Sequence, residues 1–325
     1  MAAAHSNLPP CLVISGPTAS GKTELAMRLA DRWPIDLISV DSAQVYEGMN
    51  VGSAKPDRET LKHYPHALID IRPPHQSYSA ADFVRDASEL IHQSCEEGRL
   101  PVLVGGTTLY LKALRYGLDD LPPADQHIRA ELKARGEQGG WPALHLDLAR
   151  VDPTLAVKIR PNDPQRIIRA LELHQLTGQA PSALMSGRGP DRMPTSVFMV
   201  VTATERSSLH ARINQRWSRM VELGLREEVE QLLDTWPGDA EDLGALRAVG
   251  YRQTVDHLRG HIDRAQWLKQ GAAATRQLAK RQLTALRQWS GALWYDPWIV
   301  DTMGAGQLNS ECFARINKQV AALLG

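Results

Sequence analysis

The chain has 325 residues, 43% hydrophobic and 23% charged, enough to bury one large domain or two modest ones in the manner of a folded cytosolic protein. Its 37 Lys and Arg balance its 37 Asp and Glu, so the molecule as a whole is no electrostatic magnet for nucleic acid, although a local patch stays open. Three widely spaced cysteines without a C-x-x-C pattern argue against a disulfide framework or a zinc site, and neither a signal-peptide core nor a run of membrane-spanning length occurs, so the cytoplasm is the expected compartment.

Leu12-Val13-Ile14-Ser15 reads as a short buried strand, followed by a glycine loop and a helix through Glu24–Ala30. Leu37–Val40 is a second apolar run of strand length, ending at Asp41-Ser42, and Pro101–Val104 a third, ending at Gly105-Gly106-Thr107. Runs without alternation, separated by helical patterns, predict strands buried on both faces of a mainly parallel sheet. Between 121 and 194 such runs give way to helical patterns at Ile128–Arg135 and Pro164–Gln175, with proline and glycine clusters at Leu121-Pro122-Pro123 and Ser186–Pro194. Ser196–Thr202 reads as a further strand, and helices are expected over Ser207–Leu233, Leu243–Leu258 and Ala265–Trp289. The fold class is therefore α/β, a P-loop NTPase-like parallel-sheet core (1–120 and 195–325, with C-terminal helices) carrying a helical insertion (121–194).

Charge is polarised in the C-terminal helices. Glu222–Asp242 holds eight acidic residues and one basic, and Arg247–Arg287 nine basic and two acidic. Solvated helix faces give such a split as a rule; beside a phosphate site, the basic span also suits an anionic macromolecule.

Gly16-Pro17-Thr18-Ala19-Ser20-Gly21-Lys22-Thr23 fits G-x-x-x-x-G-K-[ST] at every defined position. Its glycines let backbone N–H groups turn inward, and the helix that follows adds its positive N-terminal end. Lys22 can reach a terminal phosphate, and the Thr23 hydroxyl can ligate magnesium. The one Asn-Lys pair, Asn317-Lys318, is followed by Gln319-Val320, which excludes the base reader of a GTPase. The third strand ends in glycines and Thr107 rather than a carboxylate able to position water, which fits a motor ATPase poorly. Asp41, at a strand tip where parallel sheets bind ligands, is a magnesium outer-sphere ligand or a general base, and both remain open on sequence grounds.

Further motifs follow in order: Asp41-Ser42-Ala43-Gln44-Val45-Tyr46, Gly52-Ser53-Ala54-Lys55-Pro56, His66-Ala67-Leu68-Ile69-Asp70, and Val104-Gly105-Gly106-Thr107-Thr108-Leu109-Tyr110. Arg160-Pro161-Asn162-Asp163 comes next, with Arg166, Arg169 and Glu172, then Arg216, Met220, Gly224, Glu228 and Val249-Gly250-Tyr251. With the phosphate loop, this series resembles the tRNA dimethylallyltransferase (isopentenyl-tRNA transferase) family from about Leu12 to Trp289. No Cys/His cluster matches the C-terminal zinc finger of many eukaryotic members, which points to the bacterial type. Ala67 stands where a second histidine is expected.

The resemblance implies transfer of a dimethylallyl group from dimethylallyl diphosphate to the exocyclic amine of the adenosine 3′ of the anticodon. The loop Gly16–Thr23 then holds a diphosphate leaving group rather than ATP, with Mg2+ at Thr23 and Arg216 as a further diphosphate ligand; Arg212, one turn earlier, is an alternative. By resemblance Asp41 is the general base and Thr107 lies near the target base. The RNA path is implied to run along Asp41, Ser42, Ala43 and Gln44, then Arg129, Gln165, Arg166, Ile167, Ile168 and Arg169, then Arg247, Ala248, Val249, Gly250, Tyr251 and Arg252. The expected partners are the tRNA anticodon stem-loop and dimethylallyl diphosphate, with no membrane and a monomeric chain. The basic span is expected to face the RNA and Glu222–Asp242 to face away, so changing Glu227 and Glu228 to Gln is expected to alter tRNA affinity little. The rival readings are a P-loop kinase of small metabolites, with Asp41 as base, and a non-catalytic RNA-binding module.

Overall fold

Six parallel strands make the central sheet: β1 (Leu12–Ser15), β2 (Ile35–Val40), β3 (His66–Ala67), β4 (Leu100–Gly105), β5 (Val197–Val201) and β6 (Leu293–Tyr295). Their order is β3-β2-β4-β1-β5-β6, and an antiparallel ribbon of β7 (Trp298–Val300) and β8 (Gly306–Leu308) lies outside that sheet. The structure, a computed structural model, describes residues 7–119, 121–185, 189–236, 243–296, 298–300 and 306–325. Parts of the N-terminal stretch Met1–Pro10, of the margin Ser186–Pro194 and of the acidic span Glu222–Asp242 lie outside the described residues.

The unalternating strands are apolar on both faces because both faces are covered. Val13, Ile38 and Leu103 point into one core with Phe83, Ala87 and Ile91 of the helix Ala80–Glu96. Leu12, Ile14, Leu37 and Val102 point into the other, with Leu25 and Leu29 of the helix Lys22–Ala30 and Phe313, Ile316 and Val320 of the helix Ser310–Leu324. No described helix is long and apolar enough to cross a membrane.

Two expected helices are broken by glycines. Ser207–Leu233 is Arg206–Glu222 followed by Leu225–Thr235, with Gly224 at φ 93° between them. Leu243–Leu258 is a 3₁₀ turn, Gly244–Arg247, and a helix, Tyr251–Leu258, parted at Gly250 with φ 96°. At positive φ a residue with a side chain is strained, so the chain turns at the glycine instead of continuing the helix.

The chain divides into two units, Met1–Arg115 with Asp191–Gly325, and Tyr116–Pro190. The boundaries fall five and four residues before the expected 120/121 and 194/195, and the residues at both ends are fastened together within the first unit. Arg115 donates to Asp191 from Nε at 3.0 Å and Nη2 at 2.7 Å, its guanidinium lies 4.3 Å from the Phe198 ring centroid, and the Arg192 N–H donates to the Arg115 carbonyl.

The second unit is helical, its core built from Leu132, Leu144, Leu148, Ile167 and Leu171. Glu172 has a fully buried side chain, an expensive place for a carboxylate without partners. Arg129 donates to it from Nε at 2.9 Å and Nη2 at 3.1 Å, Arg169 from Nη1 at 2.8 Å, and the Asp125 N–H at 2.7 Å. Arg169 also donates to the Pro122 carbonyl. Two arginines read as RNA contacts are thus committed to a buried carboxylate. Ile167 is fully buried, which removes its side chain from a surface role, and Ile168 is half-buried against the same core; Gln165 and Arg166 are exposed. Arg166 lies 3.6 Å from Asp163 in a loose, mostly solvated pair.

Burial alone would raise the Glu172 carboxyl, but Arg129, Arg169 and the Asp125 N–H outweigh it and hold it below the ordinary glutamate range. A depressed carboxyl contributes stability that is present above its unfolded pKa and lost as pH falls through the folded value. Glu172→Gln is therefore expected to cost about 1–3 kcal/mol at neutral pH in urea unfolding, with the gap to wild type closing below about pH 4. An unchanged unfolding curve at neutral pH would contradict this.

Candidate active site

In a parallel sheet all strands end on one edge, and here the ends of β1, β2 and β4 meet. Ser15 of β1 and Val40 of β2 both register with Gly105 of β4. A Cβ on Gly105 would overlap the Val40 carbonyl, one on Gly16 the Val201 carbonyl, and one on Gly106 the Gln282 carboxamide. These glycines allow three chain reversals to share one small volume.

The phosphate loop leaves β1 and enters the helix Lys22–Ala30, with Gly21 at φ 82° as its N-cap. Ala19 also has positive φ, 63°, an uncommon state for a residue with a side chain and one typical of a loop shaped for a ligand. Lys22 Nζ donates to the Pro17 carbonyl at 3.2 Å, curling the side chain over its own loop. Asp41 follows β2, and its Oδ1 accepts from the Ala43 N–H at 2.9 Å and the Gln44 N–H at 3.3 Å. Thr107 follows β4; its N–H donates to the Val40 carbonyl, and its Oγ1 accepts from the Ser42 N–H at 3.1 Å.

These groups line a cavity of about 800 Å³ in the first unit. Thr18, Ala19, Gly21, Lys22 and Thr23 form one wall, and Asp41, Ser42, Ala43, Gln44 and Thr107 another. Arg216, Arg247, Ala248, Val249 and Gly250 also reach it. Gly16, Pro17 and Ser20 support the loop from behind and are buried. Of the two candidates Arg216 lines the main cavity, whereas Arg212 lines only an adjoining pocket that shares Ala19, Gly21 and Arg216 with it. Tyr251 is fully buried, which corrects its expected place on the RNA path, whereas Arg252 is exposed outside the cavity. Arg129, Gln165, Arg166, Ile167, Ile168 and Arg169 belong to the second unit.

Sequence reasoning missed Gln282. Its Oε1 accepts from the Thr18 N–H at 2.9 Å and its Nε2 donates to the Gly106 carbonyl at 2.9 Å, clamping the phosphate loop to the end of β4. Thr275, Leu278, Arg281 and Gln282 of the helix Arg264–Leu286 all line the cavity, and their spacing of three to four gives one helical face. That periodicity was the available signal. Ile213, Trp217 and Met220 of the helix Arg206–Glu222 add apolar surface at the spacing of one face, a wall suited to a short hydrocarbon group.

The electrostatics are those of a site waiting for an anion. Burial and the neighbouring Arg216 push the Lys22 ammonium down to about 8, against the opposing pull of Asp41. Burial likewise lowers the Arg216 guanidinium and raises the Asp41 carboxyl, although the Ala43 and Gln44 N–H groups, Lys22 and Lys55 work against the latter shift. Among the described residues no group of three or more His, Cys, Asp or Glu gathers as a metal cage. The oxygens that face the cavity beside Lys22, the Thr23 hydroxyl and the Asp41 carboxylate, suit magnesium, a hard ion that keeps most of its waters and takes few protein ligands.

A family model described as IPP transferase matches residues 44–289. The chain is similar to "tRNA dimethylallyltransferase 2" of Hahella chejuensis, 50% identical over 302 residues that cover 88% of this chain and 90% of that one. It is equally similar to the tRNA dimethylallyltransferase of Thiobacillus denitrificans, 50% identical over 290 residues, 89% and 92% of the two chains. The crystal structure of a tRNA isopentenylpyrophosphate transferase from Bacillus halodurans superposes with a TM-score of 0.68 at 37% identity, covering 97% of this chain and 96% of that one.

Because the Lys22 ammonium is charged below about pH 8, affinity for inorganic diphosphate should hold at neutral pH and fall as pH rises through that value. Lys22→Met should bind weakly at every pH and lose this dependence. Calorimetric titration across pH 6.5–9.5 is the check, and a wild-type profile flat through that range would contradict it.

Proposed function

The chain belongs to the IPP transferase family, and from that premise we propose that it transfers a dimethylallyl group from dimethylallyl diphosphate to the exocyclic amine of the tRNA adenosine 3′ of the anticodon. The observation that carries this reading is the meeting of Lys22, Arg216, Asp41 and Thr107 around one cavity beside an apolar wall. Cations on one side suit a departing diphosphate, and a carboxylate held by two backbone N–H groups on the other suits a base.

In the proposed step the allylic carbon–oxygen bond breaks as the adenine nitrogen forms its bond to that carbon. The charge that develops on diphosphate is met by the loop N–H groups, Lys22 and Arg216, in a site where burial strengthens such interactions. Magnesium, held from the protein side by Thr23, would add positive charge to the leaving group when bound. The adenine amine is a poor nucleophile because its lone pair is delocalised into the ring. Asp41 takes the proton that the amine sheds as it is alkylated. The burial that raises the Asp41 carboxyl makes it a better proton acceptor than an exposed aspartate, while the two N–H groups and Lys22 favour its ionised form. Thr107, fixed against Ser42, stands beside Asp41 to orient the incoming base. The base must leave its stack to meet the allyl carbon, so the RNA is engaged at an unpaired loop.

Asp41→Asn keeps the shape of the side chain and removes its basicity. It is expected to lower kcat by about two to four decades while diphosphate affinity changes little. Near-normal turnover would overturn the assignment. A wild-type protein that bound ATP more tightly than dimethylallyl diphosphate, and transferred phosphate from it, would favour a kinase instead.

A further inference from the structure

Glu228 was expected on a solvated acidic face, but its carboxylate is one of the most heavily engaged in the molecule. Oε2 accepts from the Asn50 N–H at 2.9 Å and the Val51 N–H at 2.6 Å; Oε1 accepts from the Gly52 N–H at 3.1 Å and the Tyr251 hydroxyl at 2.7 Å. It belongs to the helix Leu225–Thr235, whereas Tyr251 opens another helix, so one side chain ties two helices to the turn at 50–52. Gly52 lies against the Tyr251 ring, where a Cβ would meet the aromatic carbons, so this joint admits no side chain at position 52.

The turn is not remote from the cavity. Gly52, Ser53 and Ala54 line it. The Ser53 and Ala54 carbonyls accept from Gln44 Nε2 at 3.3 and 3.4 Å, and the Gln44 Oε1 accepts from the buried Ser39 Oγ of β2 at 3.1 Å. The Gln44 backbone N–H, together with that of Ala43, in turn holds the Asp41 carboxylate. Lys55 leaves the same turn, donates to the Tyr46 carbonyl and pairs with Asp70, and its charge is felt at Asp41. Hydrogen bonds, joined by the backbone of the turn and by Gln44 itself, thus link Glu228 to Asp41.

We propose that Glu228 is a positioning residue for the transfer reaction, fixing the turn Asn50–Ala54 and through Gln44 the direction of the Asp41 carboxylate. This rests on the reading of Asp41 as base. The phosphate loop Gly16–Thr23 is held separately, by Gln282, and does not depend on Glu228. In Glu228→Gln one oxygen becomes an NH2 that faces donors. The cheaper orientation sets it against Gly52 and Tyr251, whose hydroxyl can turn to accept. Tyr251→Phe removes one of the four hydrogen bonds and keeps the ring that fills the space above Gly52.

The test measures kcat, the affinities for tRNA and inorganic diphosphate, and thermal unfolding, for wild type, Glu228→Gln, Tyr251→Phe and Asp41→Asn, at a temperature where each is fully folded. Glu228→Gln should lose roughly ten- to a hundredfold in kcat, the scale of a misplacement of about 1 Å. Tyr251→Phe should lose less, and both affinities should stay within about twofold of wild type. A side chain that only stabilises the fold would lower the unfolding temperature without touching kcat. Should Glu228→Gln fail to fold, Tyr251→Phe decides. Impaired turnover in Asp41→Asn beside unimpaired turnover in both other variants overturns the inference alone, and wild-type turnover in Asp41→Asn overturns the base reading together with it.

Discussion

Everything in the site depends on the close approach of the ends of β1, β2 and β4, with glycine needed at Gly105 against the Val40 carbonyl and at Gly16 against the Val201 carbonyl of β5. The backbone of β4 passes so near Val40 that a methyl group at 105 would collide with a carbonyl, and the phosphate loop turns so near β5 that the same holds at 16. Parallel registry then sends the three following segments toward one point: the phosphate loop, Asp41 and its turn, and Thr107. Gln282 and Glu228 fasten the same assembly from outside, one on the phosphate loop and one on the turn at 50–52. A rigid frame of this kind lets charged groups be placed before substrate arrives, which is where most electrostatic catalysis comes from.

That frame carries an electrostatic cost. Lys22 and Arg216 share a buried volume, and each is pushed toward its neutral form. Asp41 offsets part of this and is itself raised by the same burial. The cavity is lined by four cations, Lys22, Arg216, Arg247 and Arg281, against three carboxylates, Glu24, Asp41 and Asp57, an excess of positive charge that suits an anion such as diphosphate. These groups are in position before any ligand binds, which lowers the reorganisation that binding requires. The apolar residues Ile213, Trp217 and Met220 add a hydrocarbon surface to the same cavity.

Much of this was legible in the sequence because it is written locally. Continuous apolar runs gave β1, β2, β4 and β5, the eight-residue phosphate motif gave its own loop, and Asp41 and Thr107 stood at strand ends. The edge strands β3 and β6 were missed because two or three residues carry no periodicity. What failed was everything that pairs residues far apart in the chain. Arg129 and Arg169 look like surface cations until Glu172 is seen buried between them. Glu228 looks like one of the eight acids of the span Glu222–Asp242 until the Asn50–Gly52 turn is seen resting on it. Gln282 sits in a basic helix and draws no notice, although it bridges positions 264 and 176 residues away in sequence. The family resemblance supplied roles for residues, but it could not separate side chains that face the cavity from side chains such as Tyr251 that hold it in shape.

The most direct test of the account is the chemistry of the product. Unmodified tRNA is incubated with the protein, dimethylallyl diphosphate and magnesium, then digested to nucleosides and read by mass. The account predicts one adenosine per tRNA, next to the anticodon on its 3′ side, heavier by one dimethylallyl group, with diphosphate released in equal amount. Unchanged nucleosides together with phosphate transferred from ATP to a small molecule would contradict it.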